Sequence, residues 1–126
     1  MFTTLLSVAL GGAVGATLRF LFGVGLFKLT GPTSFPLAII TVNVLGSFLM
    51  GLFVVIAAQR GLTYLSPFIM TGMLGGFTTF SAFSLEAVTL FERGAVGLAS
   101  LYVIASVAFS ILGLMGGVLV AREILA

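Results

Sequence analysis

Four apolar stretches, each long enough to cross a bilayer, make up nearly the whole chain. They lie near residues 3–27, 37–58, 65–91 and 95–121. The breaks between them carry turn chemistry: residues 28–36 include Gly31, Pro32 and Pro36, residues 59–66 lead into Pro67, and Glu92, Arg93 and Gly94 form the tightest. A hydrocarbon core of about 30 Å is crossed by roughly 20 apolar residues in a helix. The pattern therefore predicts an all-α membrane protein, a single transmembrane domain over 1–126 with four spanning helices. A soluble fold is excluded by charge. Only 6% of the residues are charged, against about 25% in ordinary soluble domains, so no polar shell can be built. The first stretch lacks the basic residues of a signal peptide and runs past Arg19 to Phe27, so it reads as a retained span.

An even number of spans puts Arg60 and Arg122 on one side of the membrane and Lys28 and Arg93 on the other. Orientation normally follows an excess of Lys and Arg in cytoplasmic loops, and here the two sides balance. The balance predicts insertion in both orientations; the alternative is that Arg19, or a factor outside the sequence, breaks the tie. No internal repeat is present, so the inverted pairing common in transporters could come only from a second, oppositely inserted copy. Small residues four apart, Gly11 and Gly15, Ser47 and Gly51, Gly72 and Gly76, and Gly113 and Gly117, predict close helix packing and leave little room for a wide pore within one subunit.

The chain has neither Cys nor His, which removes thiolate and imidazole metal sites and the usual nucleophile–base pairs. It does not read as an enzyme. A net charge of +2 without a basic run is too thin to hold a phosphate backbone, so nucleic acid is not an expected partner. What remains to explain is the polar groups inside the spans, since each needs an internal partner or a wet cavity. The third span reads TGMLGGFTTFSAFSLE. Gly75 and Gly76 followed by Thr78, Thr79 and Ser81 make poor helix, and a break near 75–79 would free backbone carbonyls near the bilayer midplane. The alternative is an unbroken helix with a glycine packing face and hydroxyls bonded to their own backbone. Phe80 and Phe83, three apart, lie beside the polar stripe of Thr79 and Glu86, where positive ring edges could face an anion, or else they fill a core. In the fourth span Tyr102, Ser106 and Ser110 recur every four residues as a hydroxyl track. Thr41 and Asn43 sit inside the second span, and Asn43 carries two N–H donors that suit an anion. Arg19, inside the first span, either snorkels to the headgroups or places a fixed positive charge in a vestibule; Glu86 is a candidate pore-mouth carboxylate.

These residues closely resemble the Fluc, or CrcB, fluoride channel family over essentially the whole chain. The stretch GGFTTFSAF, from Gly75 to Phe83, carries the likeness, with GATLRF in the first span, TVNVLGSF in the second and the Tyr102, Ser106, Ser110 spacing in the fourth. The resemblance implies a dual-topology, antiparallel homodimer of four-helix subunits, in a bacterial inner membrane, with two narrow pores through which fluoride leaves the cell passively. It implies that Phe80 and Phe83 form an aromatic box, that Asn43 donates beside it, and that Thr79, Ser81, Tyr102, Ser106 and Ser110 belong to the pore. Arg19 and Glu86 fall in the vestibule. It further implies a structural sodium ion (Na+) at the dimer centre, held by the backbone carbonyls of Gly75 and Thr78. Where the family often has Ser-Thr between the two phenylalanines, this chain has Ser81 and Ala82, so one hydroxyl is absent. Two rivals stand beside this reading. A small proton-coupled exporter has similar size and dual insertion, but centres on a carboxylate in its first helix, and the first acidic residue here is Glu86. A non-conducting structural membrane subunit is the other.

Overall fold

The computed structural model describes residues 1–126. Helix α1 spans Phe2–Thr30 and α2 spans Leu37–Arg60. A 3₁₀ turn, Thr63–Leu65, leads into a π-helical segment, Pro67–Leu74, which continues as the short α3, Gly75–Phe77. Helix α4 spans Phe80–Glu92 and α5 spans Val96–Leu125. With Thr63–Glu92 taken as one unit, four helical spans are long and apolar enough to cross a membrane. The spans outrun the expected ranges by up to four residues, because charged side chains such as Arg60, Arg122 and Glu123 continue the helices into the interface. Glycines end three of them. Gly61, at φ 67° and ψ 31°, turns α2 with its N–H on the Ala57 carbonyl, and Gly31 and Gly94 have φ of 70° and 82°.

Within the third span the two sequence alternatives apply to different residues. Gly75 remains helical, at φ −61° and ψ −37°. The backbone becomes extended only at Thr78 (φ −83°, ψ 160°) and Thr79 (φ −153°, ψ 118°), bending the span between α3 and α4. β-Branched threonines tolerate extended backbone well. The glycines upstream serve packing: a Cβ on Gly76 would stand 2.8 Å from the Gly12 carbonyl oxygen, and one on Gly72 2.9 Å from Gly11 Cα.

Packing divides the bundle into two sides. Helix α1 lies along the π-helical segment and α3, while α2 lies along α5, with α4 also against α5. Backbone meets backbone at both contacts. A Cβ on Gly15 would sit 2.0 Å from the Met73 carbonyl oxygen, and one on Gly117 2.1 Å from that of Phe48. Without a hydrophobic drive between helices in lipid, such close approach is what holds them together. Only 16 of 126 residues are buried, so most apolar side chains face outward, to lipid or to another chain. The densest internal cluster joins Phe83, Leu90, Ala99 and Tyr102, with Phe35 and Ile39 against it.

Candidate functional site

The bend at Thr78 and Thr79 redirects hydrogen bonds that an unbroken helix would close. The Thr79 N–H, which would otherwise point to the Gly75 carbonyl, donates to Asn43 Oδ1 at 2.8 Å. Asn43 Nδ2 in turn donates to the Thr79 carbonyl at 3.0 Å. One carboxamide thus closes both backbone groups of an extended residue, as a neighbouring strand would. Farther on, the Ala82 N–H donates to Thr79 Oγ1 at 3.1 Å instead of to the Thr78 carbonyl. The carbonyls of Gly75 and Thr78 are therefore the ones whose helical amides have been diverted to side chains. The Thr78 hydroxyl stays local and donates to the Leu74 carbonyl at 3.1 Å. Asn43 keeps a single N–H for any further partner, one fewer than its sequence allows.

Beside the bend lies a cleft of about 390 Å³. It collects Asn43, Thr78, Thr79, Phe80 and Phe83 with Ser106 and Ser110 of α5. No charged residue lines it. Phe80 is 77% exposed at its open side, whereas Phe83 is 8% exposed; their ring centroids lie 5.3 Å apart. Tyr102 stands behind Phe83, at 5.3 Å between centroids, and meets Phe35 edge-on at 5.5 Å. Its hydroxyl and that of Ser106 are both buried without a hydrogen-bond partner. That contrasts with Thr17, Thr41, Ser84 and Thr89, whose hydroxyls each donate to a backbone carbonyl four residues back. The polar reason for Thr41 is thus local, and it does not line the cleft.

The remaining predicted residues lie around the cleft. Ser81 is exposed, with its hydroxyl 3.4 Å from Thr79 Oγ1. Glu86 is half-buried on α4, outside the lining. Arg19 lies across the third span, where its Nε donates to the Gly76 carbonyl at 3.1 Å. Ser47 lines the cleft one turn beyond Asn43, although its sequence spacing with Gly51 suggested only packing; the signal was the polar pair Asn43 and Ser47, four apart. No group of three or more acidic, His or Cys side chains is assembled.

A family model described as CrcB-like protein, Camphor Resistance (CrcB), matches residues 6–118, a range that contains the bend, the cleft and every residue above. The chain belongs to the CrcB family. It is similar to CrcB relatives named fluoride-specific ion channel FluC: 62% identical over 125 residues to that of Ruegeria sp. (strain TM1040), covering 99% of each chain. It is 65% identical over 122 residues to that of Roseobacter denitrificans, covering 96% and 97% of the two chains. It is 59% identical over 122 residues to that of Cereibacter sphaeroides (strain ATCC 17029), with 97% of each covered. With four membrane-length helices, this CrcB chain is a multi-pass protein of the cell membrane.

Proposed function

We propose that the protein is a fluoride channel, passing the ion out of the cell passively through the cleft beside the bend. One observation carries this reading: the Ser106 hydroxyl, in the lining of a cleft free of charge, and the Tyr102 hydroxyl, behind Phe83, are both buried without a hydrogen-bond partner. An unmade buried hydrogen bond costs about 1–3 kcal/mol. A small anion that has shed its water is the acceptor such hydroxyls lack, and positive ring edges of Phe80 and Phe83 add to its replacement shell. The name carried by the relatives supports the choice of fluoride. In this reading Asn43 offers its remaining N–H, Thr79 and Ser81 bring hydroxyls to the start of α4, and Ser110 extends the track. The exporter reading is disfavoured because no carboxylate lines the cleft.

The working unit in this proposal is an antiparallel homodimer. The exposed Phe80 leaves the cleft open on one side, which a second copy would close, and the balanced Lys and Arg supports insertion both ways. The Gly75 and Thr78 carbonyls fit a sodium ion, since neutral backbone oxygens suit a hard monovalent cation. Two from each subunit would hold it, and the ion would supply charge neutralisation at the dimer centre. Fluoride efflux from liposomes containing only this protein, with chloride as control, tests the reading. Selective fluoride release is expected; no release, or equal chloride release, would refute it.

A further inference from the structure

Helix α1 presents three residues in register to the third span. A Cβ on Gly11 would meet the Phe68 carbonyl oxygen at 2.3 Å, and one on Gly15 would meet that of Met73 at 2.0 Å. Four residues on, Arg19 completes the stripe by donating from Nε to the Gly76 carbonyl at 3.1 Å. The spacing i, i+4, i+8 keeps all three on one face. The two glycines let the backbones touch, and the arginine then donates to one carbonyl near the end of the half-span before the bend. That end of the segment carries the negative pole of the helix dipole, where an arginine donor is favourable. Gly76 lies between Gly75 and Thr78, the residues whose carbonyls the bend releases.

We infer that Arg19 is a positioning residue, a latch whose Nε–H on the Gly76 carbonyl fixes the carbonyl-bearing segment and so the Asn43–Thr79 pair beyond it. This rests on the channel reading above, but assigns Arg19 a task distinct from attracting anions in a vestibule. The atom involved makes the two separable. Gln places its amide nitrogen at the same point of the side chain as Arg Nε, without charge. Met reaches equally far with neither donor nor charge. Lys keeps the charge but carries its donor one bond farther out.

The experiment compares Arg19→Gln, Arg19→Met and Arg19→Lys by fluoride efflux from liposomes, with hydrogen exchange of the peptide covering 77–82 as a second readout. A charge-assisted bond of this kind makes a difference of roughly ten-fold or more. Arg19→Met should lose flux by about that factor and expose the Thr79 amide to faster exchange. Arg19→Gln should lose least and keep the amide protected, because the donor remains. If Arg19→Gln falls with Arg19→Met while Arg19→Lys retains flux, the charge is what matters and the latch is overturned. Unchanged exchange at 77–82 in Arg19→Met overturns it as well. A parent protein that passes no fluoride would instead defeat the channel reading, leaving the exchange result to judge the latch alone.

Discussion

Replacing Asn43 separates its structural task from its proposed task in conduction. Its carboxamide accepts from the Thr79 N–H at 2.8 Å and donates to the Thr79 carbonyl at 3.0 Å. Asn43→Ala strands both backbone groups inside a span; at about 1–3 kcal/mol for each unmade bond, the loss is roughly 2–6 kcal/mol. Asn43→Asp keeps the acceptor for the N–H, but an ionised carboxylate sets a charged oxygen against the carbonyl and adds the cost of a charge inside the span, so it too should be destabilised. Stability, read from the unfolding midpoint in detergent, should therefore fall below the parent in both variants. Flux should separate them. An ionised carboxylate about 4 Å from a passing anion, at an effective dielectric of about 20, repels it by about 4 kcal/mol. That is roughly a thousand-fold in rate, so Asn43→Asp should be closed to fluoride in liposomes at neutral pH. An Asn43→Ala protein that unfolds at the parent midpoint would show that the pair with Thr79 does not hold the bend.

The two phenylalanines should respond differently in stability and alike in transport. Phe80→Ile, at a 77% exposed site, should leave the subunit's unfolding unchanged, whereas Phe83→Ile loses ring contact with Tyr102 and should cost about 1 kcal/mol; fluoride efflux should collapse in both, and normal efflux in both would return the rings to a packing role. Gly15→Ala drives a Cβ to 2.0 Å from the Met73 carbonyl oxygen and should destabilise by about 1–3 kcal/mol. Gly12→Ala, with nothing within 4 Å, is its neutral control in the same unfolding assay. Adding several Lys to the loop around Arg60 should bias insertion to one orientation and lower efflux from a singly expressed variant, which cysteine accessibility at that loop would check.

The spans and their breaks were legible because hydropathy and turn residues are written residue by residue, as Pro36, Gly61 and Gly94 illustrate. The bend was legible only to within five residues. GGFTT marks weak helix, but which residues give way depends on what each contacts: Gly76 is held helical against Gly12, while Thr79 is drawn out by Asn43, 36 positions away. The π winding of Pro67–Leu74 has no residue signature in this stretch. The segment lies along α1, and the Gly75 N–H at its end is shared between the carbonyls of Met70 and Gly72. Hydroxyls showed the same limit. Thr41 and Ser106 look alike as isolated polar residues in apolar helices, yet one closes on its own backbone and the other is buried with no partner. Sequence identifies a hydroxyl; only packing decides whether it is left free.

That freedom bears on how a lane can bind an ion and still release it. A pore must attract enough to replace hydration and yet let go quickly. A fixed charge touching the path would hold a fluoride by about 4 kcal/mol even at an effective dielectric of about 20, and burial would raise that. Neutral donors contribute about 0.5–1.5 kcal/mol net each, so several in sequence can share an ion without trapping it at any one. The cleft fits this logic: its polar lining is hydroxyls and an amide, set among phenylalanine rings and aliphatic side chains such as Val107, Ile111 and Leu114, with Glu86 outside it and Arg19 turned to the Gly76 carbonyl on the far side of the third span. In the proposed latch the half-buried Arg19 is thus also kept off the proposed path. On the proposed reading, the Tyr102 and Ser106 hydroxyls, buried without a partner in the subunit, stay open for the ion. A closed pair would stabilise the subunit by about a kilocalorie per mole, but it would leave the passing ion no donor where its water is lost.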